Sequence, residues 1–367
     1  MYLENISLTH FKNYRQCELY FSRYINCIMG PNGSGKTNLL DAIHYLSLTK
    51  SALNSVDQQN IQHDEEFFSI RGTFNLQGKN HSIQCSCKSG SKKVVQKDKK
   101  PYSKLSEHIG SFPLVLISPL DMDILREGSM TRRKFMDGII AQIDYHYLQS
   151  LLRYQRLLSQ RNQLLKSFAL KHQFDAQLIE SYDEPMLQLM KIIFDRRSQF
   201  LNQYVPVFKK HYASLSESSE EVDLTYKSDL FAADFREQFL KNHKRDLILQ
   251  RTDLGTHKDD LNCQIGRYTI RKFGSQGQQK SFVIALKLAQ FELLQEEKGI
   301  KPILLLDDIF DKLDDLRIEK LIDMVSGQTF GQLFITDARP ERTARILENL
   351  HCEISKFLVN NGEVTLT

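Results

Sequence analysis

The stretch at residues 30–37, with the sequence GPNGSGKT, constrains the fold of this 367-residue chain more than any other feature. It fits the P-loop pattern G-x-x-x-x-G-K-[ST]. The apolar residues 24–29 before it predict a buried strand, and residues 38–46 after it have apolar side chains at helical spacing. Because the pattern requires a strand before the loop and a helix after it, this context favours a phosphate-binding loop over an ordinary glycine-rich turn.

The residue types of this loop suit the phosphates of a nucleoside triphosphate. Backbone N–H groups of such a loop turn inward around phosphates, and the N-terminus of the following helix adds its positive end. The lysine reaches the outer phosphates, and the threonine hydroxyl is a ligand for Mg²⁺. We therefore predict that ATP and Mg²⁺ bind here. The predicted nucleotide contacts are Gly30, Pro31, Asn32, Gly33, Ser34, Gly35, Lys36, Thr37 and Asn38.

A second motif consists of the apolar residues 303–306 followed by two carboxylates, Asp307 and Asp308. In P-loop proteins, an acid at the end of such a strand holds Mg²⁺ opposite the P-loop threonine. Asp307 is therefore predicted to bind the metal together with Thr37, and Asp308 to orient the attacking water as the catalytic carboxylate. Two acids after a strand also occur in solvated loops, but the intact P-loop favours the catalytic interpretation.

A third motif, FGSQGQQK at residues 273–280, opens a predicted helix directly before the acidic strand. It resembles the signature S-x-G-Q of ABC-type ATPases, whose serine and glycine meet the γ-phosphate held by a second subunit. The resemblance predicts nucleotide contacts from Ser275, Gly277 and Gln278, with Ser275 and Lys36 also contributing to catalysis. The alternative is an ordinary helix start with Ser275 as N-cap. Residues 311–315 resemble the D-loop of the same dimer interface.

Hydrophobic periodicity divides the rest of the chain between α/β and helical parts. Alternating apolar residues predict two strands before the P-loop and an antiparallel meander after it, and a buried strand follows at residues 112–117. Two long helices joined by a polar turn are predicted from residue 121 onward. Strands then return, beginning with a hairpin of residues 260–265 and 267–272. Taken with the resemblance to ABC-type ATPases, this division gives the predicted fold class, α/β. The resemblance implies an ABC/SMC-type P-loop ATPase head, here with an antiparallel β meander and a helical insert lobe.

The predicted domains follow from this division. The ATPase domain is discontinuous and covers residues 1–120 and 222–367, and the helical insert lobe covers residues 121–221. The six cysteines form no C-x-x-C pair, which favours reduced thiols over a metal cluster or a disulfide framework. The N-terminus lacks an apolar signal core, and no stretch has the length and apolarity of a membrane span. We therefore expect a cytoplasmic protein without a membrane partner.

Nucleic-acid contacts must come from local clusters of cations, because the net charge is only +4. Lysines are concentrated between residues 88 and 104, and arginines near residues 132 and 153–161. Such clusters are usually solvated faces. The candidates for DNA contact are Lys92, Lys93, Lys99, Lys100, Arg132 and Arg133. Since no base-reading motif is visible, any binding should be directed mainly at backbone phosphates.

Seven segments, taken in order, resemble the bacterial RecF family over essentially the whole chain. SMC proteins and transporter ATPases share only the nucleotide motifs, so the run at residues 154–166 is the most discriminating. The segments are FKNY at 11–14, GPNGSGKTNLLDA at 30–42, TRRKFMD at 131–137, YQRLLSQRNQLLK at 154–166, GTHKDDL at 255–261, GSQGQQK at 274–280 and LDDIFDKLD at 306–314.

The resemblance implies an SMC-like ATPase head without a long coiled coil. Such a protein would form an ATP-dependent homodimer on single-stranded DNA or gapped duplex. It would act in DNA repair, DNA replication and the SOS response, working with RecO and RecR and helping to load RecA at gaps. Asp308 stands where many ABC ATPases have glutamate, which implies slow, DNA-stimulated ATP hydrolysis. Residues 118–121 offer no Q-loop glutamine, and Lys258 stands where an arginine is expected.

Other classes of P-loop protein remain as alternatives. An ABC transporter-type ATPase subunit is disfavoured by the large helical insert and the lysine-rich meander. A phosphotransferase has no use for the signature motif. An OLD-type nuclease ATPase needs a further domain, and few residues follow the last predicted core strand.

Overall fold

The computed structural model describes residues 1–216, 220–309, 331–339 and 353–367 of the chain. These residues divide into two compact units. The first unit comprises Met1–Asp121, Ser214–Glu217 and Lys280–Thr367, and the second comprises Met122–Ala213 and Ser218–Gln279. The sequence assigned residues 222–279 to the ATPase domain, whereas in the structure they pack with the helices. The reason is that the strand at Asp260–Ile265 contacts the helix at Ser129–Ile143, which belongs to the second unit.

The strands are short and numerous. In chain order they are β1 Tyr2–Phe11, β2 Tyr14–Tyr20, β3 Ile25–Met29, β4 Phe67–Leu76, β5 Lys79–Lys88, β6 Val94–Lys97, β7 Lys100–Pro101, β8 Leu114–Ile117, β9 Val222–Lys227, β10 Asp260–Ile265, β11 Tyr268–Thr269, β12 Ile303–Leu306, β13 Leu333–Asp337, β14 Ile354–Asn360 and β15 Glu363–Leu366.

The helices vary from one turn to 40 residues. They are α1 Lys36–Leu48, α2 Asp123–Arg126, α3 Ser129–Ile143, α4 Tyr145–Lys171, α5 Ala176–Leu215, α6 Phe235–Lys241, α7 His243–Leu249, α8 Ile270–Phe273 and α9 Gln276–Lys298. None of the described helices combines the length and the apolar character needed to cross a membrane.

The sheet that carries the predicted nucleotide motifs has the strand order β15-β14-β3-β13-β12-β8. Its strands pair in parallel except in the β14–β15 hairpin. Strands β3, β12 and β13 are buried along their whole length, as expected when both faces of a parallel sheet are covered. Because parallel strands end at the same edge, the P-loop after β3 and the acids after β12 lie at one edge of the sheet.

The predicted meander is confirmed and is extended by the first two strands into a six-stranded antiparallel sheet, in the order β2-β1-β4-β5-β6-β7. Helix α1 shares one hydrophobic core with this sheet and with the parallel one. The packing on β4 is close: a Cβ atom at Gly72 would lie 2.5 Å from Leu46 Cδ1. The helix that begins in the P-loop is therefore held by both sheets of the first unit.

The second unit contains the predicted pair of long helices, α4 and α5, and a small sheet in the order β11-β10-β9. The sheet contacts the helices through β10 and α3, where the Arg132 guanidinium donates to the carboxylate of Asp260 at 2.7 and 3.1 Å. The hairpin predicted at 260–272 is only partly correct. Its second strand ends at Thr269, because Ile270 is fully buried at the start of α8 and Gly274 N–H closes that helical turn on Ile270 O.

Arg161, part of an arginine cluster that the sequence offered for DNA contact, is instead completely buried. Its Nε donates to Asp183 Oδ1 at 2.8 Å, and its Nη1 donates to Asp246 Oδ2 at 2.6 Å and Thr252 Oγ1 at 2.8 Å. Asp183 also contacts His243 Nε2 at 2.6 Å. Burying ions is expensive unless they are paired, and the ion pairs and hydrogen bond of this cation join α4, α5, α7 and the loop after α7.

Replacing Arg161 by methionine would leave two buried carboxylates without their shared cation. We expect Arg161→Met to lower the free energy of unfolding by about 3–5 kcal/mol, measured as a shift of the denaturant midpoint. Arg156→Met is the matched control, because Arg156 is exposed on the same helix, and we expect it to change stability by no more than about 0.5 kcal/mol. Equal midpoints for the two variants would contradict the role assigned to Arg161.

Candidate nucleotide-binding site

The P-loop adopts a backbone that only glycine fits at two positions. Gly30 has φ +152°, and a Cβ atom there would lie 2.2 Å from Val359 O. Gly35 has φ +118°, and its Cβ would lie 2.4 Å from Asn13 Nδ2. Both substitutions would therefore meet strain and a collision together. Pro31, Asn32 and Gly33 are exposed at the tip of the loop, where a phosphate chain has access to the backbone.

The loop is held by residues from the first and last hairpins of the first unit. Ser34 O accepts hydrogen bonds from Asn13 Nδ2 at 2.9 Å and from Gly362 N–H at 3.0 Å. Tyr14 OH donates to Gly35 O at 2.9 Å, and Asn38 Nδ2 donates to Asn13 Oδ1 at 2.7 Å. The nucleotide motifs gave no indication of Asn13, Tyr14 or Gly362. The FKNY segment at 11–14 stood out only through the family resemblance, and its structural role is to support the loop.

Lys36 lies within the P-loop, as its predicted role requires. Its side chain is buried, and Nζ donates to Gly30 O at 2.8 Å and Pro31 O at 3.0 Å. The ammonium group is thus positioned among the backbone groups that would surround phosphates. Helix α1 begins at the same residue, so its N-terminal N–H groups face the same place.

The second motif meets the first as predicted. Thr37 Oγ1 donates to Asp307 Oδ1 at 3.0 Å, and Thr336 Oγ1 donates to the same oxygen at 2.8 Å. Burial raises the pKa of Asp307 above the usual carboxyl value, while these two hydroxyl groups oppose that shift. A cation would offset the same burial penalty. The carboxylate and hydroxyl oxygens are hard ligands of the kind that Mg²⁺ prefers, so the donor set fits this metal.

Asp308 is positioned by a backbone conformation that is rare for residues other than glycine. Its φ is +44°, and its N–H donates to Thr336 Oγ1 at 2.9 Å. Thr336 therefore links both acids, because its hydroxyl accepts from the backbone of Asp308 and donates to the side chain of Asp307. Strain of this kind is concentrated at functional sites.

Comparison with known proteins agrees with this geometry. The family model for the RecF/RecN/SMC N terminal domain matches residues 2–356. "DNA replication and repair protein RecF" of Flavobacterium johnsoniae is 49% identical, over 96% of this chain and 98% of that protein. The protein of the same name from Cytophaga hutchinsonii is 48% identical, over 99% of this chain and 96% of that protein. The chain belongs to the RecF family.

Solved structures agree with the family assignment. The structure of the recombination mediator protein RecF-ATP in the RecFOR pathway superposes with a TM-score of 0.90 at 30% identity, covering 100% of this chain and 97% of that one. The Smc head domain from Pyrococcus furiosus has a TM-score of 0.58 at 17% identity, covering 100% of this chain and 96% of that one, and supports the fold alone. The predicted fold, an ABC/SMC-type ATPase head, is confirmed.

The segment that resembles the signature of ABC-type ATPases begins helix α9 in the second unit. Ser275 Oγ accepts from Gln278 N–H at 3.2 Å, and Gln278 Oε1 accepts from Ser275 N–H at 2.6 Å. This reciprocal capping box satisfies two N–H groups of the helix start, so the N-cap interpretation of Ser275 is observed. Gly277 lies within the first turn, and the Ser275 side chain remains exposed. The predicted D-loop residues 311–315 lie outside the described residues.

Two further segments that carried the family resemblance meet in the second unit. His257 Nε2 is 3.1 Å from Thr252 O, and since a carbonyl only accepts, Nδ1 must accept from Tyr154 OH at 2.7 Å. Burial lowers the pKa of His257 to about 4, so the ring is neutral. Gly255, at φ +128°, has no room for a Cβ atom beside Met190 and Tyr154. Residues 154–166 and 255–261 therefore form a packed scaffold.

Lys258 stands where the family pattern predicts arginine, and its Nζ lies 3.5 Å from Asp253 Oδ1. Within residues 118–121, where no Q-loop glutamine was found, Asp121 accepts from Ser118 N–H at 2.7 Å and pairs with Lys287 at 2.9 Å. The loop after β8 is thus tied to helix α9 by an acid and a lysine.

The candidate DNA contacts differ in how much of their charge is available. Lys93 donates to Thr49 O at 2.6 Å and pairs with Asp57 at 3.0 Å. Arg133 donates to Asp259 O at 2.5 Å, and Arg132 is engaged by Asp260. The other three candidates, Lys92, Lys99 and Lys100, are exposed on the meander. A residue in an internal ion pair must give up that partner to bind a phosphate, so the exposed lysines are the stronger candidates.

The support of the P-loop by Asn13 can be tested directly. Asn13→Ala removes the hydrogen bond to Ser34 O and the one from Asn38, each contributing about 1 kcal/mol. We expect nucleotide affinity, measured by calorimetry, to fall about 30-fold. Asn80→Ala, at an exposed asparagine of the meander, should leave affinity unchanged, whereas Lys36→Met should abolish tight binding. Wild-type affinity in Asn13→Ala would show that the loop holds its shape without this support.

Proposed function

We propose that this chain is an ATP-dependent DNA-binding protein of recombinational repair and replication, with slow ATP hydrolysis as a switch. The observation that carries the proposal is the contact between Thr37 and Asp307. It brings the P-loop and the acidic strand, separated by 270 positions, to the geometry of a magnesium–nucleotide site. Membership of the RecF family supports ATP as the nucleotide, because a relative with this fold is described as RecF-ATP.

The nucleotide would be held by residues 30–38, with Lys36 at the outer phosphates. Mg²⁺, when bound, would neutralise developing charge on the phosphates. Thr37 and Asp307 would hold that ion, and Asp308 would orient water toward the γ-phosphate. Ser275, Gly277 and Gln278 would bind the nucleotide of a second copy of the chain. The exposure of Ser275 on the second unit supports this role, because a contact with another molecule requires accessible groups.

DNA would be the ligand that the ATP-driven dimer encloses. Lys92, Lys99 and Lys100 support this assignment as exposed cations on strands β6 and β7 and their flanking turns. Contacts of this type neutralise phosphates and release counterions, so they act without regard to sequence. The preferred substrate would be single-stranded DNA or gapped duplex.

The partners would be those of the pathway in which the related structures are placed. We propose that the chain acts with RecO and RecR and thereby assists RecA loading at gaps. The family assignment supports this, since a related structure is described as the recombination mediator RecF in the RecFOR pathway. A cytoplasmic location follows from that role.

The role of the signature segment is tested by Ser275→Arg. The variant introduces charge and bulk at an exposed position of the second unit, so ATP binding by the monomer should persist while ATP-induced dimerisation is lost. Sedimentation with and without ATP measures the dimer. Ser103→Arg adds the same charge at another exposed serine and should dimerise normally. A normal dimer from Ser275→Arg would refute binding of the second subunit's nucleotide by this segment.

The role of the second carboxylate is tested by Asp308→Asn, which preserves size but removes charge. Mg²⁺–ATP binding and dimerisation should survive, because Asp307 remains. Single-turnover hydrolysis should fall by roughly 10²–10⁴, the usual effect of losing a positioned base. If hydrolysis opens the dimer, its lifetime on DNA after dilution of free ATP should increase. Undiminished hydrolysis would exclude Asp308 as the catalytic carboxylate, and an unchanged lifetime would assign DNA release to another step.

A further inference from the structure

Two neighbouring aromatic side chains protrude from residues 267–273, here called the platform segment. Tyr268 exposes 60% and Phe273 64% of its surface. Their ring centroids lie 4.8 Å apart, with an angle of 43° between the ring planes. An isolated exposed apolar residue needs no explanation, but two large rings in contact with each other form a patch that marks a binding surface.

Three exposed cations surround these rings. Arg267, Arg271 and Lys272 are all exposed, and none forms an ion pair with any residue that the structure describes. They differ from Arg132, which pairs with Asp260, and from Arg133, which donates to the backbone oxygen of Asp259. Residues 266–280 contain four cations and no acid. The local charge of the platform segment is therefore positive and available to a ligand.

Two of the acids near the platform segment, Asp223 and Glu220, already have partners. Strand β9 pairs with β10, which leads into the segment, and its Asp223 accepts from Lys209 at 2.8 Å. Glu220, just before β9, accepts from Gln278 Nε2 at 2.7 and 2.9 Å. These contacts leave the three cations of the segment facing solvent without competition from those two carboxylates.

The platform segment is also held in shape. Ile270, between the two rings in sequence, is fully buried, and Gln279 Nε2 donates to Gly274 O at 3.0 Å. Gly274 packs so closely on the preceding turn that a Cβ atom would lie 2.6 Å from Ile270 Cγ1. A surface whose backbone is already ordered loses less entropy when it binds. Its C-terminal end is joined directly to the capping box of Ser275.

We propose that the platform segment binds single-stranded DNA. Unpaired bases stack on Tyr268 and Phe273, and the adjoining phosphates pair with Arg267, Arg271 and Lys272, which is the combination that single-strand-binding surfaces use. Bases within a duplex are stacked on each other, so a duplex offers the segment only its phosphates. The inference rests on the proposed function and deepens it, because it assigns the DNA to a surface and selects the unpaired strand.

The absence of tryptophan from the sequence provides a specific reporter. Tyr268→Trp places a single indole on the platform segment, and stacking with bases should quench its fluorescence. The probe is an oligothymidylate of about 16 nucleotides, compared with a duplex of equal length. The matched control is Tyr20→Trp, because Tyr20 is exposed to a similar extent, 66%, on strand β2. We expect quenching by the single strand at position 268 only.

Alanine and glutamine variants separate stacking from charge. Tyr268→Ala combined with Phe273→Ala removes both stacking rings and should weaken oligothymidylate binding by about 30-fold or more, with ATP affinity unchanged. The triple variant Arg267→Gln, Arg271→Gln and Lys272→Gln should flatten the salt dependence of log affinity by about 0.7 for each phosphate that is no longer neutralised. Fluorescence anisotropy of a labelled oligothymidylate measures both effects.

Three results would overturn the inference while leaving the proposed function intact. The first is that Tyr268→Trp binds oligothymidylate without quenching of its indole fluorescence. The second is that the duplex quenches this fluorescence equally. The third is that the double alanine variant loses ATP-induced dimerisation while its DNA affinity is unchanged. The last would identify the segment as a protein interface. The wild-type protein is measured first, and if it binds neither DNA probe in the presence of ATP, the proposed function fails and the inference fails with it.

Discussion

The site depends on one backbone carbonyl, that of Ser34, which is fixed from two sides. The side chain of Asn13 reaches it from the β1–β2 turn, and the backbone of Gly362 reaches it from the β14–β15 turn. These turns lie near opposite ends of the sequence. A glycine-rich loop has large conformational entropy when free, and these two hydrogen bonds hold it in one shape. That shape has no room for a Cβ atom at Gly30 or Gly35.

The same core also places the acids. Strand β13 lies between β3 and β12, so its Thr336 is within reach of Asp307 and of the backbone of Asp308. Burial makes the charged form of Asp307 less favourable, and the hydroxyl groups compensate only in part. The first unit thus presents a partly compensated carboxylate next to a preordered loop. Both features make the binding free energy of a cation together with phosphates more favourable.

The second unit uses charge in two opposite ways. Arg161 and Arg197 are buried, and each pairs with two carboxylates. Arg161 pairs with Asp183 and Asp246. Arg197 pairs with Asp137 and Asp259. Such networks fix the packing of long helices but leave no charge for a ligand. The cations of the platform segment are exposed and free of ion pairs among the described residues. Burial, and not the local density of arginine, therefore separates structural cations from candidate DNA contacts.

The sequence by itself determined the P-loop, the acidic strand and the alternation of sheet and helix, because these depend on local spacing and short-range periodicity. It also indicated the family through segments spread along the chain. Only the tertiary structure decided that Asn13 supports the loop, that Arg161 is buried, and that the second strand of the predicted hairpin gives way to a helical turn at Ile270. Each of these depends on partners far away in sequence, or on which face of an element is covered. No local pattern encodes either of these.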